Sequence, residues 1–308
     1  MTSKQNIKYV DMAQKFNLQT DVPLSHHTSF RVGGPADLLA LPETLEDLRA
    51  IAAYASANDI PVTIIGGGTN ILVRDKGIRG LVILTTSLKS GMNIRPMNKE
   101  YCLLQALAGE KLPKVLNFAM SNSLSGLEFA AGIPGTFGGA IAMNAGGASE
   151  NMGDLVRYLI VLNRKNLRLH IFEREDLNFS YRNLELPGII IAATLALKPG
   201  KRKSIEKNFQ QALRQKKVSQ PVSAASAGCF FKNPAQGMSA GEMIDRAGLK
   251  GMKMGGAMVS PVHANYIVNT GNATCEDILN LKEHIEKIVF SKFHVQLETE
   301  VRIEGEET

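Results

Sequence analysis

Ile64-Ile65-Gly66-Gly67-Gly68-Thr69-Asn70-Ile71-Leu72 decides which kind of fold the chain adopts. The apolar run Pro61–Ile65 reads as a strand, and the three glycines after it present consecutive backbone N–H groups, an arrangement that suits a diphosphate. Gly66-x-Gly68 opens like G-x-G-x-x-G, but the sixth position is Ile71, and no acid stands about 20 residues on to grip a ribose. No G-x-x-x-x-G-K-[ST] follows either. The doubly wound nucleotide folds are thereby set aside. Taken alone, the cluster serves equally well as a tight turn.

A second cluster adds weight. Gly132-Ile133-Pro134-Gly135-Thr136-Phe137-Gly138-Gly139-Ala140 carries four glycines around one rigid proline, and Asn144, Gly146 and Gly147 extend it. A turn needs one or two glycines; four point to a planar or anionic ligand against the main chain. The whole stretch 132–147 reads as a loop.

Working outward, Thr44 to Asn58 predicts a helix with a Thr44/Asp47 capping box and an apolar face of Leu45, Leu48, Ala52 and Ala55. Strands are expected at Gly80–Thr85, Tyr101–Leu107, Val156–Leu162, Leu167–Phe172 and Ile189–Leu197, and a further apolar run lies at Tyr266–Val268. Lys111–Ser121 reads as helical. Ile205, Phe209 and Leu213 share a face of a helix that follows a boundary at Pro199–Lys203, and Ile278, Leu281, Ile285 and Ile288 share a face of a helix over Thr274–Lys292. The last segment alternates, with Val295, Leu297, Val301 and Ile303 on one side and Gln296, Glu298, Glu300 and Arg302 on the other. The mixture predicts an α+β chain of about two domains, which 308 residues can fill.

Composition narrows the function classes. At 44% hydrophobic and 21% charged residues, the chain is globular rather than disordered or fibrous. Met1–Lys8 lacks an apolar core, so no secretory leader is expected. The apolar run Ile189–Leu197 is about half the length of a membrane span. Cys102, Cys229 and Cys275 form no CxxC pair and predict neither disulfides nor a zinc site; the six histidines show no metal-ligand spacing. No G-x-S-x-G elbow is present. Between Lys198 and Lys217, eight basic residues against Glu206 alone give +7, more than the +6 of the entire chain. That stretch reads as a solvated helix face, as a lure for a small anionic substrate or as a nucleic-acid contact, and no finger, RNA-recognition or aromatic-basic pattern backs the last.

Two further constellations are ambiguous on their own. Ser226-Ala227-Gly228-Cys229-Phe230-Phe231-Lys232-Asn233-Pro234 sets a thiol near a cation and an amide, yet a cysteine is as often a small buried apolar residue. Glu298, Glu300 and Arg302 fit a solvated edge strand as well as a polar site, and Tyr181-Arg182 is unremarkable in isolation.

In combination they are familiar. His27-Thr28-Ser29-Phe30-Arg31-Val32-Gly33-Gly34-Pro35-Ala36, the stretch Ile64–Asp75, the stretch Leu127–Gly147, Ser180-Tyr181-Arg182, Ser226–Pro234, His263–Asn269 and Leu297–Gly305 occur in the order and spacing of the UDP-N-acetylenolpyruvoylglucosamine reductases, which the chain closely resembles from about residue 25 to 305. The resemblance implies an FAD-binding domain of the p-cresol methylhydroxylase/vanillyl-alcohol oxidase type over 1–200, made of two α+β subdomains split near 90–100. It implies a C-terminal α+β substrate domain over 201–308, and the shorter, type II form of the family.

It also implies FAD lined by Arg31, by Gly66, Gly67, Gly68, Thr69, Asn70 and Ile71, by Gly132, Ile133, Pro134, Gly135, Thr136, Gly138, Gly139 and Ala140, and by Asn144. NADPH is the implied reductant and UDP-N-acetylglucosamine enolpyruvate the implied substrate, touched by Tyr181, Lys217, Lys232, Asn233 and Arg302. Arg182 and Glu300 are expected to polarise the substrate carboxylate. Cys229 stands where many members carry serine and is expected to donate the proton. A cytoplasmic monomer without metal, nucleic acid or membrane is expected. Two alternatives are an oxidase of the same flavin superfamily, with His26 or His27 tethering the flavin, and a non-catalytic UDP-sugar or flavin sensor.

Overall fold

A computed structural model describes residues 3–89, 91–147 and 150–307. Met1 and Thr2 of the N-terminal reading, and Ser90 at the edge of the expected subdomain split, lie outside the described residues. In chain order the elements are α1 (Ser3–Phe16), β1 (Gln19–Pro23), β2 (Pro35–Ala40), α2 (Leu45–Ala57), β3 (Val62–Ile65), β4 (Ile71–Val73), β5 (Ile78–Leu84), β6 (Met92–Pro96), β7 (Cys102–Leu107), α3 (Leu112–Ser121), β8 (Leu124–Ser125) and α4 (Phe137–Ala142). There follow β9 (Val156–Asn163), β10 (Leu169–Glu173), β11 (Phe179–Ser180), β12 (Asn183–Leu184), β13 (Gly188–Pro199), α5 (Arg202–Ser219), α6 (Ala240–Arg246), β14 (Lys253–Met254), β15 (Ala257–Val259), β16 (Ile267–Asn269), α7 (Cys275–Phe293) and β17 (Arg302–Glu304).

The chain divides into two compact units, each discontinuous in sequence. The first comprises Met1–Leu18, Ala40–Gly67 and Val82–Gln215; the second comprises Gln19–Leu39, Gly68–Leu81 and Lys216–Thr308. One division falls inside β5, whose first half shares a unit with β1 and β2 and whose second half shares one with β3.

The first unit is built on an antiparallel sheet in the order β10-β9-β13-β7-β6, with β8 paired to the end of β13. β13 is central, and Ile189 to Leu195 are buried without a break, which is why that strand reads as continuous apolar sequence rather than alternation. α3 and α4 supply Leu112, Val115, Leu116, Phe137 and Ile141 to the same core. α2 begins where its sequence says it should: Thr44 Oγ1 accepts from Asp47 N–H and the Asp47 carboxylate accepts from Thr44 N–H, satisfying two of the orphan donors of the first turn. Its buried stripe is Leu48, Ile51, Ala52 and Ala55; Leu45 lies at the half-buried edge.

The second unit packs α6 and α7 against the small antiparallel sheet β14-β15-β16, around Phe30, Phe230, Phe231, Ile278, Leu281 and Ile285. α7 has its own capping box, Thr274 with Asp277, and the Asp75 carboxylate accepts from Cys275 N–H at 2.8 Å and Glu276 N–H at 3.0 Å. A carboxylate on the positive end of a helix is favourable on both hydrogen-bond and dipole grounds.

Three expectations need correction. The stretch 132–147 is not loop throughout: Thr136 caps α4, with Gly139 N–H on its Oγ1 at 3.2 Å, so the glycine-rich sequence turns directly into helix. The last segment is not one continuous strand. Only Arg302–Glu304 is regular, pairing in parallel with β4, although Leu297 and Val301 are buried as the alternation requires. The strand expected at Gly80–Thr85 begins two residues earlier at Ile78 and ends at Leu84.

Candidate active site

In the first unit the two glycine clusters meet. A Cβ on Gly67 would lie 2.6 Å from Gly135 Cα, and one on Gly66 would lie 2.5 Å from Thr136 Oγ1. Part of the glycine content therefore serves backbone-on-backbone packing. The helix start adds to this: Phe137 N–H donates to Glu110 O, Gly138 N–H to Ala108 O and Ala140 N–H to Thr136 O, so the first amides of α4 are consumed inside the protein. The N–H groups of Gly66, Gly67, Gly132 and Gly135 have no loop or cap acceptor among the described residues. These four, rather than the end of α4, are the amides of the first unit that fit a diphosphate-bearing cofactor such as FAD. Gly132 and Pro134 are exposed, while Thr136, Gly138 and Ala140 are buried behind them.

Tyr181 and Arg182 form the tip of the β11–β12 hairpin, whose Ser180 pairs with Asn183. Arg182 adopts φ +57, a left-handed conformation that costs an L-residue energy and that recurs at functional sites. Its guanidinium lies 4.9 Å from the Tyr181 ring and donates to Gly146 O at 3.0 Å. Asn144 holds the hairpin from behind: its Nδ2 donates to Ser180 O at 2.9 Å and its Oδ1 accepts from Gly153 N–H at 2.9 Å. Asn144 is thus a buried brace for the Tyr181–Arg182 tip. Among the described residues, nine non-glycines have positive φ, and three of them, Arg31, Asn144 and Arg182, are residues expected at the site.

In the second unit Gly68 sits at φ +64, a Cβ there would lie 1.9 Å from His27 O so that no side chain fits, and its carbonyl accepts from Ser29 N–H at 2.9 Å. This ties the Gly68–Ile71 segment to the turn at His27–Arg31, where Arg31 N–H donates to Thr28 O. Asn70 Nδ2 donates to Glu300 O at 3.0 Å, and Arg302 N–H donates to Asn70 O at 3.2 Å. Two expected cofactor residues, Asn70 and Ile71, are therefore laced to Glu300 and Arg302.

The segment holding Cys229 is fixed from three sides. Ser29 Oγ donates to Ser226 O at 2.6 Å. Buried Asn265 accepts from Phe231 N–H with Oδ1, donates to Phe231 O with Nδ2 and accepts from Phe230 N–H with its carbonyl. Glu300 N–H donates to Phe230 O, and Lys232 N–H to Glu298 O. Cys229 itself is half-buried. The buried Tyr266 phenol is pushed far above the ordinary tyrosine range by burial first, then by Cys229 and Glu300. The Cys229 and Glu300 segments are joined by backbone hydrogen bonds through Phe230 and Lys232. Tyr266 and Asn265 were not singled out from sequence, since each acts through a tertiary contact; their presence in the quoted stretch His263–Asn269 was the only signal.

The remaining expected residues are surface-facing. Lys232 pairs with Glu298 at 3.5 Å, Asn233 Oδ1 accepts from Ala240 N–H at 3.1 Å, Arg302 pairs with Glu304 and Lys217 is exposed on α5. The three cysteines are free, and no cluster of metal-ligating side chains occurs among the described residues. None of the helices searched there is long and apolar enough to cross a membrane.

A family model described as FAD binding domain matches residues 36–166, and with the α+β architecture it defines a FAD-dependent oxidoreductase. A second model, UDP-N-acetylenolpyruvoylglucosamine reductase, C-terminal domain, matches residues 220–304. The UDP-N-acetylenolpyruvoylglucosamine reductase of Caldanaerobacter subterraneus subsp. tengcongensis is 41% identical over 97% of both chains, and that of Lactobacillus delbrueckii subsp. bulgaricus is 42% identical over 96% of this chain and 98% of its own. The crystal structure of UDP-N-acetylenolpyruvylglucosamine reductase (MurB) from Thermus caldophilus superposes with a TM-score of 0.78 at 35% identity, over 93% of this chain and 99% of that one. The chain belongs to the UDP-N-acetylenolpyruvoylglucosamine reductase family.

Proposed function

We propose that the protein reduces the enolpyruvyl ether of UDP-N-acetylglucosamine enolpyruvate to UDP-N-acetylmuramate, with NADPH as reductant, in the cytoplasm and as a step toward peptidoglycan. Residues 1–200 bind FAD and residues 201–308 bind the substrate; the working unit is a monomer that needs neither nucleic acid nor membrane. The observation that carries this reading is the backbone pairing that holds the Cys229 and Glu300 segments together, Glu300 N–H on Phe230 O and Lys232 N–H on Glu298 O, each at 2.8 Å, in a chain of this family.

FAD when bound supplies hydride, taken from NADPH and passed to C3 of the enolpyruvyl ether. The chain's own task is to hold what that addition creates. The C2=C3 electron pair moves to C2 and its carboxylate. Arg182, with its guanidinium oriented by Gly146 O and the Tyr181 ring, meets that carboxylate; a preorganised cation at developing charge is worth most in a dry site. Glu300 assists through hydrogen bonding, because a bare carboxylate would repel the same charge. Cys229 gives its S–H proton to C2, completing addition across the double bond, and regains a proton from solvent. A thiol with an ordinary pKa of about 8.5 is mostly protonated at pH 7 and is a far stronger acid than the serine it replaces. Gly66 to Ile71, Gly132 to Ala140, Arg31 and Asn144 hold the flavin, and Tyr181, Lys217, Lys232, Asn233 and Arg302 hold the UDP-sugar.

An anaerobic pair of half-reactions tests this. NADPH should bleach the bound flavin, and UDP-N-acetylglucosamine enolpyruvate should then restore its colour with formation of UDP-N-acetylmuramate. Reduced flavin that persists in the presence of this substrate would overturn the assignment.

A further inference from the structure

The segment that carries Cys229 is an arch whose two feet are pinned by one stretch of chain. Asn269 N–H donates to Ala225 O at 2.9 Å at the first foot, and Asn265 holds the second. Between them Gly228 adopts φ +83, and no atom lies within 4 Å of where a Cβ would stand, so the arch is free to pivot there. Its fixed point is the second foot. Asn265 is 2% exposed, and each of its polar groups is bonded. Its carbonyl accepts from Phe230 N–H at 2.7 Å, its Oδ1 accepts from Phe231 N–H at 3.0 Å, its Nδ2 donates to Phe231 O at 2.8 Å, and its own N–H donates to His263 Nδ1 at 3.2 Å. A side-chain amide copies a peptide group, so Asn265 gives Phe231 the paired bonds that a neighbouring strand would give. The amide is rigidly presented, because Tyr266 N–H donates to His263 O at 3.0 Å and Ser260 N–H to Tyr266 O at 2.8 Å, closing the turn that bears it.

Phe230 stands between this clamp and the segment of Glu300. Its N–H goes to Asn265, its carbonyl accepts from Glu300 N–H at 2.8 Å, and Phe231 bridges Thr299. The place of Cys229 relative to Glu300 is therefore set through Phe230, and Phe230 is set by Asn265. We propose that Asn265 is a positioning residue for the Cys229 proton donor, holding the second foot of the arch so that the thiol stays in register with Glu300. The proposal rests on the reading of Cys229 as donor and deepens it. A reacting group misplaced by about 1 Å loses about 100-fold in rate, so a clamp one residue away from the thiol is worth more to the chemistry than its hydrogen bonds are to folding. The bonds of Asn265 go to Phe230, Phe231 and His263, none of which is expected to line the flavin. Its effect therefore belongs to the half-reaction with substrate and not to the one with NADPH.

The test uses flavin-loaded protein and follows the two half-reactions separately by flavin absorbance. Asn265→Asp keeps the side chain's size but, once ionised, sets an oxygen against Phe231 O where a donor is needed. At pH 8 substrate should reoxidise the reduced flavin about 30-fold more slowly than in the parent, while bleaching by NADPH and the substrate KM stay within about threefold. Burial and the facing carbonyl raise this carboxyl above its ordinary value of about 3.9, and the protonated acid again presents one donor and one acceptor. The variant-to-parent ratio of reoxidation rates, in which titrations common to both proteins (His263, Cys229, Glu300) cancel, should therefore recover about tenfold between pH 8 and pH 5.5. A ratio that is flat with pH, or equal slowing of both half-reactions, overturns the proposal. Asn265→Ser buries no charge and serves where the aspartate variant yields no folded protein. It should slow reoxidation about tenfold and spare bleaching, and parental reoxidation or equal slowing of both steps there also overturns the proposal. Cys229→Ala separates the two levels. If it reoxidises at the parental rate, the donor assignment itself fails; if it is blocked while the Asn265 variants behave as parent, only the role of Asn265 fails.

Discussion

Cys229 and Cys275 differ in what surrounds them, and that difference is measurable. Cys229 is half-buried, whereas Cys275 is 1% exposed at the start of α7 and its thiol is pushed up to about 12 by burial and by Asp75. Iodoacetamide on native, substrate-free protein at pH 8 should therefore modify Cys229 and spare Cys275. Such protein should lose product formation while NADPH still bleaches its flavin; turnover that survives stoichiometric labelling would remove Cys229 from the mechanism. Cys275 also shapes stability. The unfolded thiol ionises near its ordinary 9.0 and the folded one does not until about 12, so the stability it contributes is whole below pH 9 and drains away as pH rises toward 12. Melting temperature should fall more steeply over that interval in the parent than in Cys275→Ala, and parallel curves would refute the linkage. Cys229, Arg182 and Glu300 could be named from their motifs. Asn265 could not be assigned a role, because a hydrogen bond across 34 residues leaves no local periodicity in sequence.

At the scale of elements, caps and apolar stripes were readable because they obey local rules, as α2 and α7 show. The stretch 132–147 misled for a physical reason. Glycine is poor in helices, and α4 exists through the Thr136 cap, the bonds from Phe137 and Gly138 to the α3-side loop, and burial of Phe137 and Ile141. The last segment misled because its alternation is real in burial while its hydrogen bonds go to the Phe230–Lys232 segment before β17 forms. Two variants examine these arrangements. Asn144→Ala leaves Ser180 O and Gly153 N–H without a partner behind the Arg182 hairpin, at a cost of about 2 kcal/mol. It should lower the melting temperature by several degrees and slow reoxidation of reduced flavin by substrate more than reduction by NADPH; equal effects on both steps would mean the brace has no special tie to Arg182. Gly67→Ala drives a methyl into Gly135 Cα, a backbone atom that cannot rotate away. Protein purified with less than a tenth of the parent's flavin is expected, and full flavin occupancy would show that the two glycine segments need not touch to hold it.

For the whole molecule, charge is the property that no single element owns. The chain carries +6, and the stretch from Lys198 to Lys217 alone contributes +7, so the rest of the surface is close to neutral. α5 accounts for most of that excess, and it keeps the charge in water: Ile205 is its buried residue, Phe209 and Leu213 are half-buried, and Lys203, Lys207 and Arg214 are exposed. Along the helix Arg202 pairs with Glu206 at 2.8 Å. Exposed pairs and solvated lysines add little to stability, which makes a purely structural reason for such a run weak. A field of this kind does act on anions at a distance, and the proposed substrate carries a diphosphate and a carboxylate. Steering of this sort raises association rates about 10-fold or more at low salt and fades once the screening length, about 10 Å at 0.1 M, is shorter than the separation. The substrate KM should therefore rise as ionic strength goes from about 0.02 to 0.3 M, while the rate of flavin reduction at saturating NADPH stays level. The triple variant Lys203→Gln, Lys207→Gln, Arg214→Gln should start at a higher KM and lose most of that salt dependence, with its melting temperature unchanged. A parental KM that is flat with salt would reduce the cluster to a solvated helix face, and a variant that keeps the full slope would assign the steering to charges elsewhere on the chain.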